Sequence, residues 1–163
     1  MQGSSSTITV REAFFPADSA SVGWLLDDYL RQTEAEKADH GVLSYRDTLP
    51  ERYAREIADP AASLNGMRVL VAASDDVDCG ILVVSTTDAG ASEIKRFWTT
   101  PSARGRGVGS ALMGEALRLA ARPVRLSVWD WREPAIRMYQ GLGFSEVSSW
   151  DDRARLLCLE LAG

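Results

Sequence analysis

The chain has 163 residues, 45% hydrophobic and 25% charged, the size and make-up of one ordinary globular domain with a real core. A net charge of −5 gives the molecule no electrostatic case for nucleic acid, while an acidic surface tolerates or attracts amines. No run of 18 apolar residues exists and the first six residues are polar, so neither a membrane span nor a secretory leader is expected, and the cytoplasm is the expected location.

Residues 1–6 read as a loose terminus. Thr7 to Arg11 alternates and is β-branched, which suits a first strand. A helix is expected from a cap at Asp18 or Ser19 to Glu36, with Val22, Leu25, Leu26, Tyr29 and Leu30 on one face. A shorter helix, Pro50 to Ile57, is ended by Asp59-Pro60. Met67 to Ala73 and Cys79 to Thr86 form a hairpin about an Asp75-to-Asp78 turn. Asp88-Ala89-Gly90 turns the chain into a strand at 92–100. A helix from Gly107 to Ala121 follows, then a strand Val124 to Trp129 and a helix Glu133 to Leu142 with Pro134 in its first turn and Gly143 at its end. Strands Phe144 to Trp150 and Ala154 to Leu161 close the chain about an Asp151-to-Arg153 turn. This order, β-α-α-β-β-β-α-β-α-β-β, implies an α+β fold on a mixed sheet. The two cysteines, Cys79 and Cys158, fall in or beside apolar strands and read as buried, reduced thiols.

The richest stretch runs from Glu93 to Leu112. A β-branched and aromatic strand ends at Pro101. Glycines follow at 105, 107 and 109, then Val108, Ala111, Leu112, Ala116 and Leu119 take up helical spacing. A strand, a glycine loop and a helix N-terminus together suit an anion. Glycines let backbone N–H groups approach closely, the helix end adds partial positive charge, and Arg104 and Arg106 add full charges. A phosphate-binding P-loop would need a lysine between Gly109 and Ser110. A dinucleotide fingerprint counted from Gly105 would need glycine where Ser110 stands.

What stands there is Arg104-x-x-Gly107-x-Gly109. It resembles the Gln/Arg-x-x-Gly-x-Gly/Ala signature of the GNAT N-acetyltransferase superfamily, which holds the pyrophosphate of acetyl-CoA. Glu93-Ile-Lys-Arg-Phe-Trp-Thr-Thr-Pro101 is similar to the strand leading into that loop. Ala135-Ile-Arg-Met-Tyr-Gln-Gly-Leu-Gly-Phe144 is similar to the family's Ala-Ile-x-Leu-Tyr-x-x-Leu-Gly-Phe segment. The resemblance spans nearly the whole chain and is diagnostic from about 92 to 144. It implies a GNAT-like, mostly antiparallel twisted sheet flanked by helices, one acetyltransferase domain over 1–163, and acetyl-CoA as co-substrate. It also implies a coenzyme site of Arg104, Gly105, Arg106, Gly107, Val108, Gly109 and Ser110, with backbone groups of Phe97, Trp98 and Thr99 along the pantetheine and thioester. Tyr139 maps onto the tyrosine that faces the coenzyme sulfur. Many members carry Asn where Arg132 stands, so Arg132 is the coenzyme-side departure. Terminal strands of the family often pair across a dimer, which makes a homodimer an expectation.

Amide formation from a thioester needs a neutral amine, a stabilised oxyanion and sometimes a proton for the thiolate. A primary amine with a pKa of about 10.4 needs a base near neutral pH. Glu93, eleven residues before Arg104, resembles the catalytic glutamate of the histone-acetylating branch; Asp130 and a water relay are the alternatives. A strand glutamate paired with Lys95 or Arg96 is the plain structural alternative for Glu93, and a core tyrosine that for Tyr139. Trp129 and Trp131, beside Asp130, are candidates for an acceptor wall, whereas Trp98 suits the core. The expected acceptor is a small-molecule amine, with protein amines and a non-catalytic acyl-CoA sensor as the other readings. His40 is given no role and no metal is expected.

Overall fold

The computed structural model describes residues 6–42 and 48–163; of the expected loose terminus, residues 1–6, the first five lie outside them. Seven strands form one sheet: β1 (Ile8–Glu12), β2 (Arg68–Ser74), β3 (Val77–Thr86), β4 (Ser92–Thr99), β5 (Val124–Trp129), β6 (Ser145–Glu146) and β7 (Leu156–Leu161). Their spatial order is β1-β2-β3-β4-β5-β7-β6. Every neighbouring pair is antiparallel except β4 and β5, which are joined by a crossover helix and run parallel. The helices are α1 (Ser19–Asp39), α2 (Glu51–Ala58), a single turn α3 (Pro60–Ser63), α4 (Val108–Leu119) and α5 (Glu133–Gly141). Among the described residues, no helix is long and apolar enough to cross a membrane.

The period-two alternation of the central strands sorts the core into two layers. Leu70, Leu82, Leu126 and Leu159 point to the face covered by α4, where Leu112 and Met113 meet them. Val69, Val71, Ile81 and Val83 point the other way, under Val22, Leu25 and Leu26 of α1. Each fully buried leucine contributes about 2 kcal/mol of apolar burial. Both cysteines are buried and free.

Local chemistry sets the joints. Asp75 and Asp76 both take positive φ, 49° and 66°, so the β2–β3 hairpin turns in two residues, as a turn that follows the sheet twist requires. Asp18 does stand at the N-cap of α1, yet its carboxylate caps nothing there: it accepts from Phe14 N–H and from Arg11 instead. The Asp59-Pro60 stop does end α2, and Asp59 then accepts from Ala62 N–H to start α3, a turn the sequence reading did not contain. The expected strand from Phe144 to Trp150 is cut to Ser145–Glu146. Val147 still donates to Cys158 O, but beyond it Ser149 bonds within its own turn and Trp150 leaves the sheet to cover Arg125, ring centre to guanidinium 3.9 Å.

Candidate active site

Parallel pairing of β4 with β5 covers only Ser92↔Val124 and Glu93↔Arg125; beyond these the two strands part. A bulge in β4 follows at once. Lys95 stands opposite Val83 and Trp98 opposite Ile81, so Arg96 and Phe97 share the space of one residue. Arg96 takes φ 54°, a left-handed conformation that costs an arginine free energy. Its guanidinium is held on Glu56 of α2 at 2.9 and 3.2 Å, over the Tyr53 ring, which fixes the bulge from outside. The extra residue also reverses the facing of the strand: Ile94 and Phe97 pack on the α4 side, Trp98 on the α1 side. The result is a cleft of about 920 Å³ between the parted strands, reaching from α1 and α2 to the start of α4 and the inner face of α5.

At one mouth stands the glycine loop. Gly105 and Gly107 have φ of 79° and 88°, and Gly107 is the residue from which α4 departs. The first helical bond runs from Ala111 N–H to Gly107 O, so the N–H groups of Val108, Gly109 and Ser110 have no helical acceptor. They gather the positive end of the helix dipole at the cleft. A Cβ on Gly109 would lie 3.4 Å from the Phe97 ring, so glycine there lets α4 pack close on β4. Arg104 lines the cleft with its guanidinium 4.6 Å from the Trp98 ring centre and its Nε donating to Thr99 O. Arg106 is exposed and is not part of the cleft wall.

Backbone alternation decides which groups of β4 face the opening. Thr100 N–H bonds to Cys79 O on β3, which puts the main-chain groups of Trp98 on the β3 side and those of Phe97 and Thr99 on the side of β5. With β5 gone from their flank, they border the cleft. Trp98 itself is core: it is 6% exposed, and its indole N–H donates to Asp28 at 2.7 Å.

Glu93 lies at the closed end of the cleft, on the last paired step, and makes no ion pair among the described residues. The Lys95 and Arg96 pairings considered for it do not form. Tyr139, from α5, meets Phe97 across the cleft, ring centres 6.3 Å apart, with Phe144 behind it. Burial pushes the Tyr139 phenol well above its ordinary range and nearby Tyr29 adds to this, against a smaller opposing pull from Arg132, so the ring stays a neutral donor.

The loop between β5 and α5 is spent largely on structure. Arg132 lines the cleft, but its guanidinium binds Glu36 of α1 at 2.9 and 3.3 Å and Thr33 Oγ1 at 2.8 Å. Burial alone would raise the Glu36 carboxyl; the hydrogen bonds from Arg132 outweigh it and hold the group below its ordinary value. Asp130 is paired with Arg155 and lies outside the cleft wall. Trp129 lines the cleft, with Trp131 stacked behind it at 4.9 Å and His40 behind Trp131 at 4.3 Å. The residues not foreseen are Tyr29, Arg52, Tyr53, Lys95 and Arg96. Lys95-Arg96 carries the one signal that was there: two cations in mid-strand do not suit a strand buried on both faces.

A family model described as an acetyltransferase (GNAT) domain matches residues 65–146, half of the chain, which holds β2 to β6 and hence the two strands that part to form the cleft. Curated proteins give no match. Among solved structures, the chain is similar to the PaiA N-acetyltransferase of Thermoplasma acidophilum in complex with coenzyme A (18% identity, 96% of this chain and 99% of that one, TM-score 0.72). It is also similar to an acetyltransferase of the GNAT family from Staphylococcus aureus Mu50 (14%, 96% and 99%, 0.68). The Salmonella typhimurium protein YncA, solved with its cofactor acetyl-CoA, is a third (21%, 95% and 93%, 0.62). At these identities the structures speak for the fold, and the family model speaks for descent: this chain belongs to the GNAT acetyltransferase family.

Proposed function

We propose that the protein moves the acetyl group of acetyl-CoA to the primary amine of a small molecule, by direct transfer within a ternary complex. One observation carries this: parted β4 and β5 leave the Phe97 carbonyl and the Thr99 N–H open beside a helix end whose first three N–H groups have no helical acceptor, and Glu93, without an ion pair among the described residues, stands in the same cleft. These features fit the coenzyme. The N–H groups of Val108, Gly109 and Ser110 receive its pyrophosphate, with Arg104 beside them, and Phe97 and Thr99 run along its pantetheine arm. When bound, the coenzyme supplies an activated acetyl carbon.

The chain's own residues then act in turn. Glu93 takes a proton from the ammonium, directly or through a water, and frees the nitrogen lone pair. The nitrogen bonds to the carbonyl carbon while the β4 backbone N–H of Thr99 donates to the oxyanion that develops. As the carbon–sulfur bond breaks, Tyr139 donates a hydrogen bond to the departing thiolate. A thiol pKa of about 8.5 lies below that of the raised phenol, so complete transfer of the Tyr139 proton runs uphill and the stabilisation is that of a hydrogen bond. The nitrogen, positively charged after attack, gives up its second proton as the amide forms; that proton reaches the thiolate through water, Glu93 returns its own proton to solvent, and the acetylated amine and free coenzyme thiol leave. Two free buried thiols suit a reducing, cytoplasmic setting.

The test is a screen of amines against acetyl-CoA, read as release of free thiol, in the wild type and in Glu93→Gln. Amine-dependent release is expected, lower by about 10²-fold in kcat for Glu93→Gln at neutral pH and recovering at high pH, where the amine is already neutral. Coenzyme binding without amine-dependent release would overturn the transferase reading, and a wild-type pH profile in Glu93→Gln would move the base to a water.

A further inference from the structure

The molecule is acidic, but the cleft is not. Four carboxylates line it: Glu34, Glu36, Glu56 and Glu93. Three are paired with cations that line it too, Glu34 with Lys37 at 3.0 Å, Glu36 with Arg132 and Glu56 with Arg96, both at 2.9 Å. Arg153 is matched from outside by Asp151, which it holds at a pKa of about 2, so that pair stays ionic at any working pH. Among the described residues this leaves Glu93 as the unpaired carboxylate of the wall, and Lys95, Arg52 and Arg104 as cations with no carboxylate partner.

These charges stand in two places. Arg104 belongs to the glycine loop, at the coenzyme end. Lys95 is four residues back along β4 from Thr99, roughly 13 Å at ordinary strand rise, and it stands opposite Val83, whose side chain is on the α1 face. Glu93 and Lys95 are two apart, hence on one face, with Cα atoms about 6.5 Å from one another. Arg52 reaches the same region from α2: its guanidinium lies 4.6 Å from the Tyr53 ring centre and bonds the Tyr53 hydroxyl at 2.8 Å, and the same ring carries Arg96, the neighbour of Lys95, on it at 5.5 Å. One negative and two positive groups, none neutralised among the described residues, thus face the cleft from the side away from the glycine loop.

Resting on the acetyl-transfer reading, we infer that the acceptor is an amino acid: its ammonium is met by Glu93, and its carboxylate, a few bonds away, by Lys95 and Arg52. A zwitterion meets all three groups, its ammonium against Glu93 and its single carboxylate shared between the two cations. An amine without a carboxylate would, as its ammonium, meet Glu93 alone and leave both cations unmatched, at a cost that falls chiefly on half-buried Lys95, since Arg52 is exposed. The positive wall on an acidic molecule also draws the anionic group inward.

The experiment compares kcat/KM for free L-amino acids with that for the same compounds as carboxamides and for simple alkylamines, followed by thiol release. The amide lowers the pKa of its own amine, so chemistry alone favours it. The carboxylate forms are nonetheless expected to lead by 10-fold or more in the wild type. Lys95→Met is expected to cut that lead by at least 10-fold through KM, with Arg52→Gln adding to it, and Lys95→Arg restoring most of it. Unchanged acetyl-CoA affinity by calorimetry shows that the variants are folded. Equal turnover of acids and amides, turnover of alkylamines alone, or a lead that survives Lys95→Met with Arg52→Gln would overturn the inference while the transferase reading stands. No amine-dependent release from any probe would take down both.

Discussion

Tyr139 shows how little a buried side chain tells by itself. Spacing on α5 makes it a core residue, and it is one, 6% exposed between Phe97 and Phe144. What sets it apart is that part of it borders the cleft where β4 and β5 separate. Tyr139→Phe keeps the ring and its packing. If the hydroxyl stabilises the departing thiolate, kcat should fall by about 10-fold with coenzyme affinity unchanged, since a hydrogen bond to charge is at stake and no full proton transfer. If the hydroxyl only satisfies the core, stability should drop by about 1 kcal/mol with kcat intact. Thermal melting and kcat measured on the same variant separate these, and a lowered melting point with normal kcat would remove Tyr139 from the chemistry.

At the scale of elements, the glycine loop is where sequence and structure agree most closely, because one physical need fixes both. Gly107 must turn the chain at φ 88° and leave the N–H groups behind it free. A Cβ there would touch only Ile8, 3.9 Å away, so an alanine meets strain but no clash. Gly90, at φ 84° with nothing near its Cβ and no part in the cleft, is the matched control. Both glycine-to-alanine variants should lose about 1 kcal/mol of stability, but only Gly107→Ala should lose acetyl-CoA affinity, by 10-fold or more in a titration. Equal affinity in the two variants would detach the loop from the pyrophosphate. The helix faces, the hairpins and this loop were legible because each is written in local periodicity or in turn residues. The bulge at Arg96 was not. It depends on Glu56, forty residues away in sequence, which no local pattern connects to it. The same holds for Arg132, whose partners Glu36 and Thr33 lie almost a hundred residues earlier, and for the early end of β6, which Trp150 sets by crossing to Arg125. Long-range ion pairs choose among backbones that local sequence leaves open.

For the molecule as a whole, ion pairs anchor α1 at both ends, to the sheet at its start and to the β5–α5 loop at its end, and this gives its stability a definite pH dependence. Near the start, Arg11 of β1 binds Asp18 at 2.9 Å and Asp78 of β3 at 2.8 Å. Near the end, Arg132 binds Glu36. Hydrogen bonds from Arg11 hold both aspartates below their ordinary 3.8; Phe14 N–H assists at Asp18, while burial works in the opposite direction at Asp78. Glu36 is likewise below 4.5, the pull of Arg132 exceeding burial. A carboxyl whose pKa is lower folded than unfolded binds its proton first in the unfolded chain. Its contribution is therefore complete above the unfolded value and is lost as pH falls through the folded one. The urea midpoint should stay flat from pH 7 to about pH 5, then decline from about pH 4.5 downward. Arg11→Leu should lower the midpoint at pH 7 by the equivalent of about 1 kcal/mol, a modest figure because the Arg11 side chain is 41% exposed and solvent screens it. With Asp18 and Asp78 back near or above their ordinary values, the variant should also fall less steeply below pH 4.5, so that the two curves converge in acid. Parallel curves from pH 7 to pH 3 would show that Arg11 holds these carboxylates no more tightly in the fold than water does in the unfolded chain.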